Sequence, residues 1–223
     1  MTEAEWLACT DPQKMLEFLW GKASERKLRL FACSCCYRLH DLWGMMDGCL
    51  EAVEFANLYA DGGETREDLK LVRDDLSGID DYCGSSEEIR YHALDCVMAI
   101  PLGDVSGLAN RIIEYFENQH YLTEAELEAE QEAERVLQCE ILRDFFNPFR
   151  PVKVEPSWLT WNDSAVPRLA HAIYDERAFD RLPVLADALE EAGCTNADIL
   201  GHCRGPGPHV RGCWVVDLLL DKE

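Results

Sequence analysis

Residues 201–214 read Gly-His-Cys-Arg-Gly-Pro-Gly-Pro-His-Val-Arg-Gly-Cys-Trp and gather His202, Cys203, His209 and Cys213 around a Gly/Pro loop. Thiolate sulfur and imidazole nitrogen are the donors that tetrahedral zinc prefers, and four of them must meet at one point. Cys203, His209 and Cys213 converge if the loop folds back on itself, with Cys194 or His202 as the fourth donor. Zinc is therefore the cofactor the stretch admits. Two other chemistries use the same residues. Arg204, His209 and Arg211 would form a small cationic pocket for an anionic metabolite, and His209 beside Cys213 would make an activated thiol nucleophile. A structural role needs no ligand at all: Pro206 and Pro208 stiffen the loop while Gly205 and Gly207 permit unusual backbone angles. Cys213 and Trp214 then pack inward against the helix that carries Leu185 and Leu189.

The other cysteines carry less. The chain has 11 of them in 223 residues, and Cys33, Cys35 and Cys36 sit in a helical pattern, where free cysteine behaves as a small buried hydrophobe. A continuous helix points Cys33 and Cys35 about 200° apart, so they do not form a ligand pair. No Gly-rich phosphate loop follows a strand pattern, and neither a Gly-x-Ser-x-Gly elbow nor a His-Glu-x-x-His pair is present. The motif content favours a noncatalytic protein.

Charge narrows the partners. With 43 acidic and 21 basic residues the formal net charge is -22, which repels phosphate backbones and anionic membranes. Residues 1–5, Met-Thr-Glu-Ala-Glu, have no basic segment followed by an apolar one, and no apolar run reaches the roughly 18 residues of a membrane span. These features read as a cytoplasmic chain. Glu124, Glu126, Glu128, Glu130, Glu132 and Glu134 alternate along one predicted helix; Glu126, Glu130 and Glu134 are the positions expected to meet a basic protein partner.

The elements that position these residues read as helices. Ser/Thr-x-x-Glu/Gln starts recur as Thr2 with Glu5, Thr10 with Gln13 and Thr123 with Glu126, and Pro12 and Pro183 suit first turns. Leu28, Phe31, Cys35, Leu39 and Leu42 form one apolar stripe, and Leu50, Val53, Ala56 and Tyr59 another. Further helices are expected near 66–76, 86–100, 104–118 and 124–145, with His92 on the apolar face of the second of these. Three prolines within residues 147–156 break the pattern. Asn162 or Asp163 then opens a helix, 181–193 reads as another with its Gly stop, and Thr195 and Asp198 open a short third. Residues 212–220 fit a buried strand or helix equally well. The fold expected is mainly α: an acidic multi-helix bundle over 1–146, a proline-rich connector over 147–157 and a smaller C-terminal helical unit over 158–223 with the Cys/His loop.

Residues 185–193, Leu-Ala-Asp-Ala-Leu-Glu-Glu-Ala-Gly, resemble the Leu/Tyr-Ala-Asp-x-Leu-Glu-Glu-x-Gly core of the repeat-companion domain of planctomycete bacteria, with Ala188 where an aromatic is usual. The chain is also similar, almost end to end, to a set of uncharacterised proteins of those bacteria, whose phrases stand here as Glu-Trp-Leu-Ala-Cys (5–9), Lys-Leu-Arg-Leu-Phe-Ala-Cys (27–33) and Asn-Pro-Phe-Arg-Pro (147–151). The resemblance implies a bacterial cytoplasmic helical module and transfers no catalytic residue. The reading that follows is a noncatalytic protein-interaction module. Its alternatives are a metal- or anion-binding module centred on the loop and, from charge alone, an acidic nucleic-acid mimic.

Overall fold

The computed structural model describes residues 1–43, 47–77 and 123–222. Every regular element among them is helical: α1 (Glu3–Ala8), α2 (Pro12–Leu19), α3 (Glu25–Trp43), α4 (Asp47–Ala60), α5 (Arg66–Ser77), α6 (Glu124–Phe145), α7 (Pro156–Glu176), a 3₁₀ turn (Phe179–Arg181), α8 (Leu182–Glu191), α9 (Ala197–Arg204) and α10 (Trp214–Leu220). The chain is mainly α, as its punctuation predicts. None of the described helices is long and apolar enough to cross a membrane. The helices expected near 86–100 and 104–118, with His92, lie outside the described residues.

Start signals explain most helix boundaries. Thr2 and Glu5 form the reciprocal box, in which Thr2 Oγ1 accepts from the Glu5 N–H and Glu5 accepts from the Thr2 N–H. Thr123 and Glu126 do the same for α6. Thr10 does not cap α2: Asp11 accepts from the N–H groups of Gln13 and Lys14 with Pro12 at the first turn, because a carboxylate one residue closer satisfies two free donors at once. Asn196, rather than Thr195, similarly caps α9.

The backbone divides into two units, Met1–Cys139 and Glu140–Glu223. In the first, α3 packs on α4 and α4 on α5. Positions 27–36 of α3 are buried without interruption, so this helix runs through the interior instead of laying down one stripe. Cys33, Cys35 and Cys36 are each 0–1% exposed there, alongside Phe31, Val53 and Ala56.

The second unit starts inside α6, ahead of the expected boundary at 146/147. The reason lies in the last turn of α6, where Asp144 bonds to His209 and Val210 and Phe145 lies against Gly212. The expected connector is likewise part of this unit: Val152 and Val154 pack on its core, and Arg150 pairs with Asp198 at 2.6 Å. Helix α7 begins at Pro156, whose missing N–H suits a first turn, and is interrupted at Asn162, Asp163 and Ser164, which take left-handed angles (φ 47°, 54° and 60°). The helix start expected at Asn162 or Asp163 is thus a kink within α7. Trp158 is buried and Trp161 half-buried against the same core, anchoring that kink.

Helix α8 buries Leu182, Leu185, Ala186 and Leu189 against α7 and α9. It stops at Gly193 (φ +92°), where the Cys194 N–H reaches the Leu189 carbonyl and the Gly193 N–H the Glu190 carbonyl. Residues 214–220 resolve the strand-or-helix ambiguity as a helix that packs on α7. Between α9 and α10 the backbone has no regular structure, which leaves residues 205–213 free to bend.

Candidate metal centre

Four side chains of the second unit meet where residues 209–213 cross the last turn of α6. Asp144 Oδ1, His202, His209 and Cys213 each offer a donor atom, and all four donors lie within 4.8 Å of one another. The group can hold a metal ion. His209 Nδ1 is 2.7 Å from Asp144 Oδ1, and His202 Nε2 is 3.1 Å from the same oxygen and 3.2 Å from Cys213 Sγ. The imidazole rings meet edge to face with centroids 4.8 Å apart. Donors bound to one tetrahedral zinc ion at its usual bond lengths stand about 3.2–3.8 Å from each other. The observed spacings need only small side-chain shifts to reach that geometry.

The atoms not aimed at the centre are held by the loop backbone. The Val210 N–H donates to Asp144 Oδ2 at 3.0 Å, leaving Oδ1 as the inward oxygen. His209 Nε2 lies 3.3 Å from the Gly205 carbonyl, to which it donates, leaving Nδ1 facing Asp144. Such outer partners fix ring orientation and tautomer at metal sites. Two backbone groups of one loop therefore select one ligand atom on each of two side chains.

Burial makes the cluster electrostatically demanding. Asp144 is 3% exposed and Cys213 is fully buried. Burial opposes a charge on Asp144, but hydrogen bonds and charge from His202 and His209 outweigh it and hold the carboxyl below its ordinary range. Burial also works against a charged His209, and the bond to Asp144 more than reverses it, so this ring is held above its usual value. The Cys213 thiol is pushed well up by burial and by the Asp144 charge, with the N–H groups of Val216 and Val215 pulling weakly the other way. A divalent cation among these donors, with Asp144 and Cys213 both ionised, gives a neutral buried set.

No family model, curated protein or solved structure matches the chain.

The residues singled out from the sequence divide. His209 and Cys213 are in the group, and His202, the optional fourth donor, is a full member. Cys203 is not: it follows His202 on α9, a step that turns a side chain about 100° around the axis, and it faces the apolar core with Leu189 and Ile199. Burial first, then the nearby Asp144 charge, push its thiol up to about 12. Cys194 is also a core residue. Asp144, which lies 65 positions before His209, was outside the expected set. Its signal is an acid on the buried stripe of Ile141, Leu142 and Phe145, where a carboxylate needs partners.

Each residue of the expected cationic pocket has another partner. Arg204 donates to Asp187 and Glu190 at 2.7 Å each, Arg211 lies over the Tyr174 ring at 4.7 Å, and His209 is committed to Asp144. The three have separate partners: surface acids for Arg204, an aromatic ring for Arg211 and the buried Asp144 for His209. The expected structural packing is present: Cys213 is buried and Trp214 is half-buried against the core of Leu185 and Leu189, its ring 5.1 Å from His202.

The expected acidic docking set also needs correction. Glu126 and Glu130 are exposed, but Glu134 is 2% exposed and accepts a hydrogen bond from Gln138 at 3.0 Å. Each step of four residues advances about 40° around a helix, so Glu134 has turned about 80° from Glu126 and joins the buried stripe of Gln131 and Gln138.

Proposed function

We propose that this chain is a noncatalytic helical module whose C-terminal unit binds one zinc ion through Asp144, His202, His209 and Cys213. One observation carries the reading: four donors from three separate segments converge, while the loop backbone occupies the outward-facing atoms of Asp144 and His209. Mixed nitrogen, sulfur and oxygen donors suit zinc better than magnesium or calcium, which take oxygen. Four protein donors close a tetrahedral shell, the arrangement of an ion that holds a fold together.

The arrangement argues against a thiol enzyme. A nucleophile–base–acid relay uses the two opposite nitrogens of one imidazole, one for the thiol and one for the acid. Here the same Nε2 of His202 faces both Cys213 and Asp144, and the thiol is buried and held protonated. Elemental analysis of protein purified under reducing conditions tests the reading. One zinc per chain is expected, with loss of the ion in Asp144→Asn and Cys213→Ser; a metal-free wild type that does not take up added zinc contradicts it.

A second reading concerns the wider role. The exposed first turns of α6, with Glu124, Glu126, Glu128, Glu130 and Glu132, favour a module that docks a basic protein surface. The net charge of -22 also fits an acidic nucleic-acid mimic, which would compete with DNA for the same partner. Salt-sensitive binding that weakens on reversal of Glu126 and Glu130 supports docking; binding indifferent to both sinks it.

A further inference from the structure

Asp144 and Cys213 each have a chain neighbour in the contact between Phe145 and Gly212, the glycine of this unit with least room for a side chain. Gly212 is buried at φ +107°, and a Cβ there would lie 2.2, 2.6 and 2.9 Å from Cε1, Cζ and Cδ1 of Phe145. Phe145 is itself 1% exposed, so its ring has nowhere to retreat. The donors flank this contact: Asp144 directly precedes Phe145 on α6, and Cys213 directly follows Gly212. On the other side, Val210 N–H bonds to Asp144 Oδ2.

Resting on the zinc reading, we infer that the Phe145 ring against Gly212 is a positioning contact that sets the spacing between the Asp144 and Cys213 donors and so determines which ions the centre accepts. The ring is a rigid stop for the 209–213 segment, and the missing side chain at Gly212 lets the backbone come down onto it. The hydrogen bond at Val210 and the ring contact at Gly212 together fix both the height and the tilt of the segment over α6. A smaller side chain at 145 removes the stop, so the donors no longer stand at a separation fixed in advance. A side chain at 212 lifts Cys213 away from Asp144. Neither residue has a donor atom aimed at the ion, so both act through the ligands.

The test uses the full chain, cobalt(II) as the optical probe, and zinc and cadmium in competition. Wild type is compared with Phe145→Leu, Phe145→Ala, Gly212→Ala and the Gly212→Ala/Phe145→Ala pair. The expected result is a tetrahedral cobalt spectrum with thiolate charge transfer in wild type. In Phe145→Leu the visible bands should shift, and cobalt and zinc should bind about 10–100-fold more weakly, the usual range for outer partners of metal ligands. Zinc should weaken more than the larger cadmium ion. Gly212→Ala should bind least, and the pair should recover part of that loss, because the ring the new Cβ strikes has gone.

Wild-type cobalt bands, zinc affinity and zinc-over-cadmium preference in Phe145→Leu overturn this inference while leaving the zinc centre standing. A wild type that takes up neither cobalt nor zinc overturns the centre, and the inference with it. If Phe145→Ala loses its helical circular dichroism, Phe145→Leu alone decides. A wild-type spectrum there still overturns the role.

Discussion

Cys33, Cys35 and Cys36 on α3 and Cys213 beyond α9 are all buried thiols, yet among the described residues only the last belongs to a donor set. Cys33 and Cys36 even have the two-residue separation of a zinc knuckle. What differs is the backbone beneath them. A continuous helix fixes the direction of each thiol, and on α3 these three are buried in a run that includes Leu30, Phe31 and Ala32, where free cysteine behaves as a small hydrophobe. Residues 205–213 have no helix to satisfy, and they fold across α6 until a thiol, two imidazoles and a carboxylate face one point. Thiols are shared by the two regions; among the described residues convergence is found in the second, where a bending loop brings His209 and Cys213 to Asp144 and His202 on two helices.

The largest effect should come from Asp144. Asp144→Ala leaves the half-buried His209 and Val210 N–H without their acceptor and is expected to destabilise the second unit by about 2–4 kcal/mol, read by chemical denaturation. The equivalent loss on α3 is far smaller. Cys35→Ala should cost about 1 kcal/mol as a small cavity and leave zinc stoichiometry unchanged, so zinc lost from that variant would break the comparison. Trp214→Ala falls between them, at about 1–3 kcal/mol, because the ring is only half-buried against the core.

Acid and base should separate the metal-free and zinc-bound forms. Asp144 is held below its ordinary 3.8, so its contribution is present above that pH and is lost as pH falls through the folded value. His209 is held above 6.5, so its contribution is complete below 6.5 and is lost as pH rises through its folded value. The metal-free unit should therefore gain most from this pair between about pH 3.8 and 6.5. Zinc affinity should run the other way and rise with pH, because His209 and Cys213 must give up protons to bind. Calorimetric titrations in two buffers of different ionisation enthalpy should show proton release; affinity independent of pH would remove these residues from the site.

The smallest effect belongs to the exposed acids. Glu126 is the capping partner of Thr123 as well as a surface charge, so Glu126→Lys is expected to weaken the start of α6 by removing the acceptor of the Thr123 N–H. Glu130→Lys should stay within about 0.5 kcal/mol. Thermal unfolding of the two variants distinguishes a cap from a mere charge.

Local chemistry was legible in the sequence wherever one residue or one turn decides it. The Thr2 box, the Pro12 start, the Gly193 stop and the burial of Cys33 and Cys35 follow from spacing of four residues or fewer. His209 and Cys213 could be named because they share a loop. Asp144 could not be joined to them, since its partners lie 65 and 66 residues away and periodicity carries no tertiary register. Cys203 was misplaced for the opposite reason: adjacency in sequence hid the turn between neighbouring positions of α9. Glu134 shows the same helical drift on a longer scale.

Cobalt(II) substitution in wild type, Cys213→Ser and Cys203→Ser tests the central claim most directly, because the two sulfurs lie in one unit and only Cys213 is a donor. A thiolate-to-cobalt charge-transfer band is expected in wild type, persisting in Cys203→Ser and vanishing in Cys213→Ser. A band that survives Cys213→Ser and disappears with Cys203→Ser, or no cobalt bound by the wild type, would contradict that claim.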